Sequence, residues 1–225
     1  MNELIYSTVD DIREVFVRKF RRKEIVYDKT GVKTIDISPC FFMANEETIF
    51  GEVNHDYVNR EIEWYESQSL YVRDIPGKIP EIWKKVSDKN GRIHSNYGYL
   101  VFSGENRSQY RRCLEQLKRE HDSRRAIMIY TRPGIQDEYN QNGMSDFICT
   151  NTVQYRIRNG ILHAYVNMRS NDAYFGYRND RAWQKYILNK LAKDLNMEFG
   201  NIYWFAGSLH LYENQFKLIE EYASR

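Results

Sequence analysis

The sequence predicts an α+β fold, with a mixed or antiparallel sheet flanked by helices in a single domain spanning residues 1–225. Three observations carry this expectation. Apolar residues recur at helical spacing in several capped segments, strand-like segments are joined by a hairpin signal, and no Pro/Gly/Ser-rich stretch or charge block divides the chain. With 42% hydrophobic residues, 18 Tyr and 11 Phe in 225 residues there is ample apolar surface for a core, which excludes a disordered chain.

Each element has a local reason. Ser7 or Thr8, with Asp10 and Asp11 following, caps a helix whose Ile12, Val15, Phe16 and Phe20 share one face. Asp28-Lys29-Thr30-Gly31 is a turn, and Val32 to Met43 is β-rich with Pro39 interrupting or bending it. A second helix is expected over Asp56 to Gln68, a short one over Glu81 to Ser87 after the break at Asp74-Ile75-Pro76-Gly77, and another over Arg107 to Glu120. Strands are expected over Ile127 to Tyr130, Phe147 to Arg158 and Ile161 to Arg169, the last two joined at Asn159-Gly160, a strong short hairpin signal. A helix from Asp180 to Leu195, a strand from Ile202 to Leu211 and a closing helix to Tyr222 complete the chain.

Composition narrows the function. A net charge of +2 is too small to mark a nucleic-acid surface, so no nucleic acid is required as a partner. The run Arg18-Lys19-Phe20-Arg21-Arg22-Lys23 reads as a solvated helix end whose dipole favours cations. No apolar run approaches the about 18 residues of a membrane span, and the first residues are acidic where a signal peptide is basic, so a soluble, cytoplasmic protein is expected. Cys40, Cys113 and Cys149 lack metal-ligand spacing; reduced thiols and no metal are expected, with one thiol as a reactive candidate.

Three constellations carry chemistry. If Asn159-Gly160 is a two-residue loop, Arg158 faces Ile161, and the continued register places Cys149 across from Ser170 and beside Arg169. A guanidinium there favours the thiolate, the attacking form, although a strand cysteine also suits a small buried apolar position. On a wheel of about 100° per residue, Glu61 falls among Tyr57, Val58, Trp64 and Tyr65, while Glu63 and Glu66 point elsewhere. A carboxyl on that apolar face resists ionisation and enters the range useful for proton transfer; a structural ion pair is the alternative. Lys29, Arg124-Arg125 and Arg169-Ser170 offer the forks and hydroxyl that suit a phosphate dianion, and surface cations are the alternative.

Read in chain order, Asp28-Lys29-Thr30-Gly31, Glu61-Ile62-Glu63-Trp64-Tyr65, Asn96-Tyr97-Gly98, Asp122-Ser123-Arg124-Arg125, Cys149-Thr150-Asn151-Thr152-Val153-Gln154, Arg169-Ser170-Asn171-Asp172 and Gly207-Ser208-Leu209-His210-Leu211-Tyr212 resemble the thymidylate synthase superfamily over nearly the whole chain. Within it they resemble most the branch that hydroxymethylates deoxycytidylate. The resemblance implies a thymidylate synthase-like fold and a sheet-mediated homodimer. It implies Cys149 as the nucleophile adding to carbon 6 of the pyrimidine and Glu61 as the acid/base that organises the catalytic water. Lys29, Arg169 and Ser170 would hold the nucleotide phosphate, with Arg124 and Arg125 supplied by the partner subunit, and His210 and Tyr212 would contact the deoxyribose 3′-hydroxyl. Trp83, Tyr97 and Asp172 match positions lining the folate and base pocket, with 5,10-methylenetetrahydrofolate as co-substrate and no metal.

The departures are as informative. Gly176-Tyr177-Arg178-Asn179-Asp180 stands where the synthases place the asparagine that reads uracil, so Asp180 occupies the base-reading position. Cytosine presents an acceptor at N3 and a donor amine at C4; a carboxylate accepts from the amine and, once protonated, donates to N3. The alternative is that Asp180 caps the following helix. Ile148 and Thr150 flank the nucleophile instead of Pro and His, and Arg225 follows soon after His210-Leu211-Tyr212, which implies either a folate closure different from the family's or a shortened chain. Rival readings are thymidylate synthase, a dUMP or CMP hydroxymethylase, and a non-catalytic scaffold or RNA-binding relative.

Overall fold

The computed structural model describes residues 7–27 and 31–224. Helix α1 (Val9–Arg21) begins with a reciprocal capping box, in which the Thr8 side chain accepts from the Asp11 N–H and the Asp11 carboxylate accepts from the Thr8 N–H. Strands β1 (Val26–Tyr27), β2 (Lys33–Ile37) and β3 (Cys40–Met43) follow, with a cis Ser38-Pro39 bond between the last two. Helix α2 (His55–Ser67) is capped by Asn54, whose Oδ1 accepts from the Tyr57 N–H at 3.0 Å. Helices α3 (Glu81–Val86), α4 (Tyr97–Phe102) and α5 (Gln109–Arg119) lead to strand β4 (Ile127–Ile129) and the short α6 (Ile135–Glu138). Then come β5 (Thr150–Arg158), β6 (Ile161–Met168), β7 (Asn171–Asp172), α7 (Phe175–Leu195), β8 (Glu198–Ala206), β9 (Leu209–Tyr212) and α8 (Phe216–Ala223).

Among the described residues the strands form a five-stranded sheet, β3-β8-β6-β5-β4, and a four-stranded one, β1-β2-β9-β7. Both are mixed, since β6 runs parallel to β8 and β7 parallel to β9. Burial alternates along β6 and the later part of β5, so one face of the larger sheet, with Tyr155 and Trp204, enters the core alongside Tyr177 and Trp183 of α7. The other face carries two cross-strand rows, Ile127-Gln154-Tyr165-Tyr203-Met43 and Ile129-Thr152-Asn167-Phe205-Phe41, in which Ile127, Ile129 and Phe41 are exposed. No helix among the described residues is long and apolar enough to cross a membrane.

Four local expectations change. The hairpin register holds from Arg158↔Ile161 to Thr152↔Asn167, but a bulge then shifts it, so that Thr150 faces Met168. Consequently Cys149 lies opposite Arg169, not Ser170, and it just precedes the strand. Helix α7 starts at Phe175, which places Asp180 in its second turn and removes the N-cap role. The single strand expected over Ile202 to Leu211 is two strands in different sheets, parted at Gly207-Ser208. A side chain at Gly207 would sit 2.9 Å from the Arg169 carbonyl oxygen, so only glycine lets the chain pass there. Helix α4, unassigned from periodicity, is capped by Asn96 and too short to show a repeating apolar stripe.

Candidate active site

Cys149 ends the loop that enters β5. Arg169 holds that loop: its backbone N–H donates to the Cys149 carbonyl at 2.9 Å, Nε donates to Ile148 O at 3.0 Å, and Nη2 donates to Phe147 O at 2.7 Å. The same Nη2 stands 3.5 Å from Cys149 Sγ. Upstream, the buried Asp146 accepts from the backbone N–H groups of His94 and Ser95 and from Ser95 Oγ, tying the loop to the segment that opens α4. The guanidinium does not yield a thiolate here. Burial pushes the Cys149 thiol up to about 11, Arg169 offsets this only in part, and Asp180, Asp146 and Asp172 add to the rise. The expectation that Arg169 favours the thiolate is thus right in sign and outweighed by desolvation.

Alkylation of the ligand-free protein by iodoacetamide is therefore expected to be about 100-fold slower than for an ordinary thiol near neutral pH, and to climb with pH toward about 11. Peptide mapping of the labelled Cys149 checks it. A rate that levels off below pH 8 would show a pre-formed thiolate instead.

Glu61 does face the interior: it is 5% exposed, between Trp64 and Val58, which are also buried, while Glu63 and Glu66 are exposed. Tyr57 Oη donates to Glu61 Oε1, and Trp83 Nε1 donates to Tyr57 Oη at 2.8 Å. Burial pushes the Glu61 carboxyl up to about 7. On α7, Asp180 Oδ2 accepts from Asn171 Nδ2 at 2.8 Å, and Asp180 is pushed up to about 8, first by burial and then by the nearby charge of Glu61. A side chain at Gly176 would meet Asn171 Nδ2, Asp172 Cβ and Asp180 Oδ2 within 3.1 to 3.6 Å, so the glycine keeps this corner open. Tyr97, buried against Tyr65 and Tyr130, accepts from Thr150 Oγ1 at 3.0 Å beside Cys149.

The parallel pairing of β7 and β9 sets Asp172 opposite His210. Asp172 Oδ1 accepts from the N–H groups of Tyr174 and Phe175, which shapes the turn into α7, and its carboxyl is raised by burial. Burial holds His210 below the usual histidine range, with Asp172 and Asp36 opposing; its ring lies edge-on to Tyr212 at 5.1 Å. Ser170 is half-buried between Arg169 and β7. Trp83 is half-buried and packs edge-on against Trp64, with ring centroids 5.2 Å apart.

Two predicted cations stand apart. Arg124 and Arg125 are exposed just before β4, level with about Arg156 on β5, roughly 20 Å along the strand from Cys149. Lys29 lies outside the described residues. Three contributors escaped sequence reading as site residues: Asn171 as the partner of Asp180, Asp146 as the anchor of the Cys149 loop, and Tyr57 as the partner of Glu61. Only Tyr57 had a local signal, one helical turn before Glu61.

The thymidylate synthase family model matches residues 21–225, and the chain belongs to that family. The deoxycytidylate 5-hydroxymethyltransferases of Enterobacteria phages T4 and T2 are 52% identical to it over 222 residues, covering 96% of this chain and 90% of theirs. Thymidylate synthase of Francisella tularensis is 22% identical over 178 residues, covering 75% of this chain and 65% of the synthase.

Proposed function

We propose that this protein is a deoxycytidylate 5-hydroxymethyltransferase, producing 5-hydroxymethyl-dCMP and tetrahydrofolate from dCMP, water and 5,10-methylenetetrahydrofolate. The observation that carries the reading is Asp180: a carboxyl whose ionisation is pushed up to about 8 is protonated at neutral pH. It then donates to cytosine N3 through one oxygen and accepts from the 4-amine through the other. The likeness to the phage hydroxymethyltransferases supports the same substrate.

In this reading Cys149 Sγ bonds to carbon 6 of the base, and its proton leaves. Arg169 is the group that favours the sulfur's negative charge. The folate co-substrate supplies a one-carbon unit at the oxidation level of formaldehyde. Carbon 5 takes that unit and loses its proton, and the bond from the unit to the folate nitrogen breaks, which releases tetrahydrofolate and leaves an exocyclic methylene on the base. Glu61 draws a proton from water as the oxygen bonds to that methylene. The electrons of the exocyclic double bond restore the 5,6 bond, and Cys149 Sγ leaves. Arg169, Ser170 and Lys29 hold the phosphate, His210 and Tyr212 the sugar hydroxyl, and Trp83, Tyr97 and Asp172 line the folate and base pocket. Mass spectrometry of products from dCMP and from dUMP, each with methylenetetrahydrofolate, tests the reading; a dUMP product alone, or a methylated one, overturns it.

The distance of Arg124 and Arg125 from Cys149 within one chain supports a homodimer in which each chain lends these cations to the other's phosphate site. The exposed rows of the larger sheet offer the apolar contact surface. Mixing inactive Arg125→Ala and Cys149→Ser homodimers is expected to restore activity, because one hybrid site then has both residues intact. No recovery after subunit exchange, verified by native mass spectrometry, would mean that the sites are not shared.

A further inference from the structure

The reaction as written gives Tyr57 no task, yet Tyr57 is the residue through which Glu61 is held. It stands one turn before Glu61 on α2, and its hydroxyl donates to Glu61 Oε1. A phenol has a single proton to give. Trp83 Nε1–H occupies a lone pair of Tyr57 Oη at 2.8 Å, so that proton is turned away from Trp83 and onto the carboxylate. The phenol also stays neutral, because burial and then the charge of Glu61 hold it well above its ordinary range. Its hydrogen bond, the larger of two that reach Glu61 with the Trp83 indole as the second donor, favours the ionised form of Glu61, against the larger effect of burial.

We infer that Tyr57 is a positioning residue for the hydration step: it commits Glu61 Oε1 as an acceptor and leaves Oε2 as the oxygen that takes the proton from the attacking water. The assignment rests on the acid/base role of Glu61. At that step one water O–H bond breaks, its proton passes to Oε2, and the oxygen bonds to the exocyclic methylene. Cys149 Sγ departs with the carbon–sulfur electron pair. Glu61 later returns its proton to solvent. Carbon 5 has already lost its own proton, so Tyr57 belongs to the second half of the reaction.

That order gives a test within one sample. In a single turnover with dCMP tritiated at carbon 5, tritium release reports the first half and hydroxymethyl product the second. Tyr57→Phe keeps the ring beneath the Arg60 guanidinium, 5.4 Å from its centroid. Tritium release is expected to stay within about twofold of wild type while product formation slows about 10- to 100-fold, the cost of a misaimed base. The acid limb of the product-forming rate should also move to higher pH, because the larger of the two donors that favour ionised Glu61 is gone. Since both signals come from the same active sites, a partly unfolded preparation leaves their ratio intact. Equal slowing of the two signals, or no slowing of either, overturns the assignment. Glu61→Gln run alongside separates the cases: if it too forms product at the wild-type rate, the acid/base reading of Glu61 fails, and if it alone is slow, only the role of Tyr57 does.

Discussion

Replacing Cys149 with serine is expected to lower kcat at least about 10⁴-fold while dCMP affinity stays within a few-fold of wild type. The effect is large because the covalent step needs a sulfur nucleophile, and a hydroxyl is far harder to ionise in a site that already pushes the thiol up to about 11. The fold should survive, since Arg169 grips this loop through the carbonyl oxygens of Phe147, Ile148 and Cys149 rather than through the sulfur alone. Cys40→Ala and Cys113→Ala are the controls. Both thiols are core-packed, so kcat should hold and only stability should fall, by roughly 1 kcal/mol. Stopped assays with isothermal titration of dCMP separate these outcomes, and turnover in Cys149→Ser at the wild-type rate would falsify covalent catalysis.

The second large effect is expected at Asp180. Asp180→Asn should lower kcat/KM for dCMP and raise it for dUMP, shifting the preference between them by about 10- to 1000-fold, because a buried polar group left unpaired costs roughly 1–3 kcal/mol and more when charged. The amide donates to the uracil carbonyl and accepts from its ring N–H, and in that orientation it sets a donor against the cytosine amine. The structure sharpens the contrast: with Asp180 in the second turn of α7, a capping contribution no longer competes as an explanation. The wild-type preference should also depend on pH. The folded carboxyl titrates near 8, so its N3-donating form is present below that pH and is lost as pH rises through it. The dCMP-to-dUMP ratio should fall above about pH 8 in wild type and stay level in Asp180→Asn. A ratio that does not move toward dUMP on substitution would remove Asp180 from base reading.

Much of this site was legible before any coordinates. The inward turn of Glu61 follows from its spacing to Val58, Trp64 and Tyr65, and the proximity of Cys149 to Arg169 follows from the Asn159-Gly160 hairpin. The motif order pointed to the family to which the chain belongs. The division of Ile202 to Leu211 between two sheets was not legible, because both halves carry the same alternation and only the close pass of Gly207 against Arg169 separates them.

By itself, then, the sequence determined which side chains share a helix face or strand face, because those periodicities are local properties of the backbone. Tertiary structure alone decided the one-residue bulge that turns Cys149 from Ser170 to Arg169, and the pairing of Asn171 with Asp180. It also decided that the Cys149 thiol and the Asp180 carboxyl both hold their protons at neutral pH. Protonation there is set by how much water the packed elements exclude and which charges they bring together, and neither quantity exists until distant segments of the chain meet.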